Sequence, residues 1–174
     1  MKRIGMIGSG QVAQVLADGF LKHGYEVLLG SRDAAKAGAW AAKTGGKGKS
    51  GTFADAAKFG EILVLSVKGI AAEDALKLSG FENLTGKTII DVNNPIADAP
   101  PVNGVIQFFT GPNESLMERL QKAAPKANFV KAWSCVGNPL MVNPQLPGGR
   151  PTMFTCGNSD ASKGEVNEIL EKFG

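Results

Sequence analysis

Residues 3–29 read RIGMIGSGQVAQVLADGFLKHGYEVLL, a short apolar run, two glycines, an amphipathic stretch and a second apolar run. Val12, Val15, Leu16 and Phe20 recur at helical spacing, so the order is strand, helix, strand. Such a unit feeds a parallel sheet through a right-handed crossover. Gly8 permits the tight turn out of the strand, Gly10 removes a Cβ from the mouth of the helix, and Ala13 lets the helix lie close on the strand. The amide groups that open a helix point outward and favour an anion. G-x-G-x-x-A in this setting is the pattern that cradles a dinucleotide pyrophosphate, the alternative being a glycine turn that serves packing alone.

The second strand ends in Gly30, Ser31 and Arg32. A site for NAD places a carboxylate here, about 20 residues beyond the glycines, to accept hydrogen bonds from the ribose 2′-hydroxyl. A guanidinium instead binds a 2′-phosphate through paired charge-assisted hydrogen bonds, and a serine hydroxyl adds another. NADP is therefore expected over NAD, with a solvated loop charge as the alternative for Arg32. Asp33 is expected to cap the next helix.

The alternation continues along the chain. A helix is expected over residues 33–43, a short helix opened by a Thr52/Asp55 capping box, and a doubly covered strand over 62–67, read as ILVLSV. Helices follow at 70–78 and 114–123, strands at 87–92, 129–133 and 153–156, and a last helix capped by Ser159 runs to Phe173. Residues 93–112 and 137–151 are irregular, rich in Pro, Gly and Asn, and expected to leave the C-terminal ends of strands. The expected fold is α/β, a doubly wound, mainly parallel sheet of the Rossmann NAD(P)-binding type. All 174 residues are expected to form one dinucleotide-binding domain.

Composition narrows the function. A net charge of +3 is too small to argue for nucleic acid, and the apolar start is broken by polar groups too soon for a signal peptide or membrane span. A cytosolic protein is expected, with its two cysteines, Cys135 and Cys156, reduced and partly buried. One histidine and two isolated cysteines do not make a zinc site, so no metal is expected. His23 falls at the end of the first helix, far from where chemistry is expected. Tyr25 has Leu29 four residues on, so the Tyr-Lys pair of short-chain dehydrogenases is missing. Lys163 and Asn167 have the one-turn spacing used by β-hydroxyacid dehydrogenases, but read as an exposed helix face. No catalytic side chain is assigned. Hydride transfer to an acceptor with its own electronic sink, a flavin or deazaflavin ring, fits that lack better than reduction of a bare carbonyl.

The segments IGSGQVAQVLADGFLKHGYEVLLGSR, LSVKG, DVNNP, VKAWSCVG and PTMFTCGN resemble, in that order, the NADP oxidoreductases that depend on the deazaflavin coenzyme F-420, and their close NADP-binding relatives. The resemblance covers most of the chain. It implies direct hydride transfer between nicotinamide and deazaflavin, stacked at the C-terminal edge of the sheet. By it Ser9, Gly10, Gln11 and Val12 hold the pyrophosphate, Ser31 and Arg32 the 2′-phosphate, and Ser66, Val67 and Lys68 the adjoining ribose. Asn93, Asn94 and Pro95 fall on the nicotinamide side, and Trp133, Ser134 and Cys135 face the second ring. From the residues alone, Lys68 reads equally as a surface charge, the two asparagines as loop caps, and Trp133 as core.

Family members usually continue into a further strand and helices that close the site and build a dimer, so this chain is expected to be a truncated or short form. The expected partner is a small-molecule redox acceptor, without nucleic acid or membrane, and a homodimer is left open. Two other readings stand beside this one, a regulatory NADP-binding module without turnover and the cofactor domain of a pyrroline-5-carboxylate or imine reductase relative. Arg32→Ala is expected to weaken NADP about tenfold or more while changing NAD by less than about twofold in calorimetric titration, and equal losses for both would refute the assignment.

Overall fold

A computed structural model describes residues 2–174. Seven strands, β1 (Arg3–Ile7), β2 (Glu26–Gly30), β3 (Gly48–Gly51), β4 (Ile62–Leu65), β5 (Thr88–Asp91), β6 (Asn128–Lys131) and β7 (Cys156–Gly157), form one sheet in the order 3-2-1-4-5-6-7. All neighbours are parallel except β7, which pairs antiparallel with β6. Six helices cover the sheet, α1 (Gln11–Lys22), α2 (Ala34–Lys43), α3 (Phe53–Phe59), α4 (Ala72–Ser79), α5 (Leu116–Ala123) and α6 (Asp160–Phe173). The fold is the expected doubly wound Rossmann type.

Strand alternation splits the apolar side chains into two cores. Ile4, Met6, Val64 and Ile90 face α1, α2 and α6, where Phe20, Trp40 and Phe173 fill the layer. Ile7, Leu63, Leu65 and Ile89 face the other way, against Phe53, Leu76 and Leu120. Chain order reverses between β1 and β4, so the crevice at their C-terminal ends is where a doubly wound sheet takes a ligand.

Capping follows the sequence closely. Asp33 accepts from the Lys36 amide at 3.1 Å, and Thr52 with Asp55 forms the expected box opening α3. Ser159 caps α6, and Ser115 with Glu118 forms a second box at α5. The Lys87 ammonium donates to the Ala57 and Gly60 carbonyls at the end of α3, and its desolvation there lowers its pKa.

Several expectations are corrected. β3, the sequence GKSG, carries no apolar pattern; it forms because β2 offers it an edge and the Trp40 ring lies on Gly48. β4 ends at Leu65 rather than Val67, because the Val67 amide bonds the Asn93 side chain instead of a neighbouring strand. β6 ends at Lys131, since Trp133 turns to φ 56°. The last strand is two residues at Cys156–Gly157, not 153–156. Both cysteines are exposed, not partly buried, because Cys156 lies on the edge strand β7 and Cys135 in the turn that follows β6. The stretch after β5 is irregular only in part. Bridges Ile96–Phe108 and Val102–Val105 fold it into an arm that turns at Asn103 and Gly104, both at positive φ.

Among the described residues no helix is long and apolar enough to cross a membrane. Packing of α3 on β1 is tight: a Cβ on Gly5 would lie 2.1 Å from the Ala56 carbonyl oxygen. Gly5→Ala is therefore expected to lose about 1–3 kcal/mol or more in urea unfolding. Gly38→Ala, inside α2 with nothing within 4 Å of its added Cβ, should gain about 0.5–1 kcal/mol, and the same sign for both would contradict this packing.

Candidate nucleotide cleft

The turn after β1 is held by backbone. Gly8 has φ 134°, its amide donates to the Gly30 carbonyl at 3.1 Å, and an added Cβ would lie 1.9 Å from the Ser66 carbonyl oxygen. Gly8 is thus required by the meeting of three strand ends. Gly10 differs. It has ordinary extended geometry, and a Cβ there would meet nothing within 4 Å, so no protein atom explains the glycine. The cap of α1 makes no side-chain hydrogen bond and its first turn holds no acid; α4 also lacks a side-chain cap but opens on Glu73 and Asp74, and α2, α3, α5 and α6 have side-chain caps. An open approach beside uncapped amides fits a pyrophosphate.

Ser31 is nearly buried, bonds the Ser9 hydroxyl at 2.7 Å and accepts from the Asp33 amide at 3.0 Å. It locks the glycine loop to the end of β2. Arg32 and Lys36 project at the same corner, and neither has a carboxylate partner among the described residues. Asp33, the nearby acid, is used by the α2 cap. The corner is cationic, as a 2′-phosphate needs.

The glycine loop, the Ser31–Arg32 corner and residues 66–68 line one open cleft of about 840 Å³. Val12, Ser66, Val67 and Lys68 also line an adjoining hollow of about 310 Å³, closed by Val92, Asn93, Asn94 and Ile96. The expected residues are therefore brought together along one continuous surface, Gly8 to Val12, Ser31, Arg32, Ser66 to Lys68, Asn93 and Asn94. Pro95 lies just behind, its carbonyl accepting from Phe109 at the base of the arm.

The expected second-ring group divides. Trp133 is only 2% exposed and packs edge-on to Phe20 and against Phe173, so it is core rather than a stacking platform. Its positive φ turns the backbone so that the ring drops into the layer beneath. The Ser134 carbonyl accepts from Asn94 Nδ2 at 2.9 Å, and Cys135 is exposed beside Met153. Neither lines the two hollows.

His23 and Tyr25 line a different hollow, at the far end of α1 and about 18 Å from its start. Lys163 pairs with Asp160 at 2.9 Å, and Asn167 accepts from Thr155 at 3.2 Å in a separate hollow beside Trp133, apart from the glycine cleft. Two residues that sequence reasoning missed stand at the C-terminal edge. Asp91, fully buried, pairs with Lys131 at 2.9 Å, and both touch Asn93. The acid in DVNNP opposite a lysine one strand over was the available signal, but only strand register pairs them.

A Rossmann sheet with a cationic, glycine-mouthed cleft at its switch point has the features of a dinucleotide-binding protein. The chain belongs to the family described as NADP oxidoreductase coenzyme F420-dependent, whose model matches residues 3–95. A structure from Arthrobacter sp. FB24, provisionally named an F420-dependent NADP-reductase, is 29% identical with a TM-score of 0.91, over 100% of this chain and 81% of that one. A hypothetical protein from Sinorhizobium meliloti is 21% identical with a TM-score of 0.82, over 100% and 82%. The NADP-bound pyrroline carboxylate reductase of Plasmodium falciparum shares the fold at 16% identity and a TM-score of 0.64, over 99% of this chain and 55% of that one. No curated protein matches.

The two glycines separate folding from binding. Gly8→Ala should cost about 2–6 kcal/mol in chemical unfolding, from backbone strain plus overlap with Ser66. Gly10→Ala should shift stability by less than about 1 kcal/mol yet weaken NADP about tenfold or more by calorimetry. Unchanged NADP binding in Gly10→Ala would show that the loop serves packing alone.

Proposed function

We propose that the chain transfers a hydride between NADP(H) and a planar ring acceptor, a deazaflavin such as coenzyme F-420 or a flavin, without a dedicated acid or base side chain. The carrying observation is that the glycine cleft and the hollow beside Asn93 share Val12, Ser66, Val67 and Lys68, giving one track along the switch point. In this reading Gly8, Ser9, Gly10, Gln11 and Val12 hold the pyrophosphate. Ser31 and Arg32 take the 2′-phosphate, residues 66–68 the adjoining ribose, and residues 93–95 the nicotinamide side.

The bound coenzyme supplies the hydride chemistry. The chain's own residues supply position and exclude water. Ile70, Val92 and Ile96 give the second hollow a mainly apolar wall. Its only ionisable lining groups, Lys68 and Asp98, pair with each other at 3.5 Å and are 79% and 73% exposed in their side chains. A solvated pair of this kind is a poor general acid, because water competes for its protons and its geometry. An acceptor ring with its own electronic sink removes the need for one. Of the second-ring group, Ser134 alone is joined to this edge, its carbonyl accepting from Asn94 Nδ2 at 2.9 Å. The name of the 29% identical relative supports the same acceptor class.

Anaerobic stopped-flow mixing of NADPH with coenzyme F-420, FMN, FAD and, as a contrast, pyrroline-5-carboxylate tests this reading. Oxidation of the nicotinamide with at least one ring acceptor is expected. Tight NADPH binding with no absorbance change on any ring would replace it with a binding module, and turnover with the imine alone would replace it with an imine reductase.

A further inference from the structure

Asn93 is 3% exposed at the floor of the second hollow, and its side-chain orientation is fixed by chemistry. Oδ1 accepts from the Val67 amide at 3.0 Å. A backbone N–H only donates, so the oxygen must face Val67 and the amide nitrogen must face away. Among the described residues, Asn93 Nδ2 is the one buried side-chain polar atom with no hydrogen-bond partner. Native folds rarely leave such a donor unmatched without a reason.

The backbone of Asn93 is held just as firmly. Its amide donates to Asp91 Oδ1 at 3.0 Å, and its carbonyl accepts from the Lys131 ammonium. Lys131 also donates to Asp91 Oδ2 at 2.9 Å, so both oxygens of this fully buried carboxylate are used. Asp91 and Lys131 stand opposite one another in the β5–β6 register. The pair therefore clamps Asn93 from both backbone groups while Val67 takes its side-chain oxygen.

We propose that the Asp91–Lys131 pair is a positioning device that aims Asn93 Nδ2 into the hollow, where it donates a hydrogen bond to the carboxamide carbonyl oxygen at the nicotinamide end of the coenzyme. This rests on the reading that the cleft binds NADP. The phosphates are taken by the glycine end, and of the groups a pyridine carboxamide carries, the carbonyl oxygen is the acceptor that a lone donor selects. Because the clamp leaves the amide no alternative orientation, it also fixes which face of the ring meets the acceptor.

Calorimetric titration of the full chain with three ligands tests the inference: NADP, its 3-acetylpyridine analogue, which keeps the carbonyl and loses the amide nitrogen, and 2′-phospho-ADP-ribose, which lacks the ring. The wild type should bind the acetylpyridine analogue within about threefold of NADP. Asn93→Asp keeps the acceptor for Val67 and loses the donor, so it should weaken NADP and the analogue about tenfold and leave 2′-phospho-ADP-ribose unchanged. Asp91→Asn and Lys131→Met should lower the same NADP-to-fragment affinity ratio, which general loss of structure would not move selectively. If those two variants do not fold, Asn93→Asp and the wild-type analogue comparison still decide. A wild type that binds the acetylpyridine analogue more than about tenfold worse than NADP overturns the proposal, as does an Asn93→Asp that weakens all three ligands alike or none. Failure of the wild type to bind even the ring-free fragment overturns the coenzyme reading itself, and this inference with it.

Discussion

The approach of Gly8 to the Ser66 carbonyl is the contact on which the cleft depends. It brings the ends of β1 and β4 together at the point where chain order reverses, and the Gly8 amide ties the same turn to Gly30 at the end of β2. No side chain fits between these three backbones. The glycine loop therefore enters α1 at one angle, and the amides that open that helix face the mouth rather than the sheet. Residues 66–68, which continue the same contact, form the step between the glycine end and the hollow beside Asn93.

Along this edge the polar groups fall into two sets. Ser31, Asp33, Asn94, Asp91 and Lys131 are engaged with the protein itself, the first two tying the end of β2 to the glycine loop and to α2, the other three tying the end of β5 to β6 and the turn after it. Arg32, Lys36 and the Asn93 amide nitrogen are not. A rigid rim with a few unspent donors is the arrangement expected where a ligand supplies the missing partners, because preorganised groups lose little entropy on binding. The chemistry proposed for the site asks for little beyond that rigidity and a dry wall.

Much of this was legible in the sequence. Gly8, Gly10 and Ala13 announced the turn, ILVL announced a strand covered on both faces, and Thr52 with Asp55 announced a helix start, because each rests on contacts within a few residues. Trp133 was harder. Its composition and strand-end position suited either a platform or the core, and a backbone turn at positive φ, invisible in the sequence, sent the ring inward. The arm between residues 95 and 109 did carry a local signal, Asn103-Gly104, but its flanks lack the alternation that marks paired strands.

The sequence by itself determined the βαβ order, the parallel sheet, the glycine mouth and the cation at the end of β2, since apolar periodicity, glycine's missing Cβ and charge sign act locally. Only the tertiary structure decided that GKSG is a strand, that Asp91 meets Lys131, and that Asn93 keeps one donor unmatched. Those outcomes depend on strand register between residues 21 to 40 apart, and on which buried groups exhaust one another's hydrogen-bonding capacity. Neither is written in any one stretch of chain.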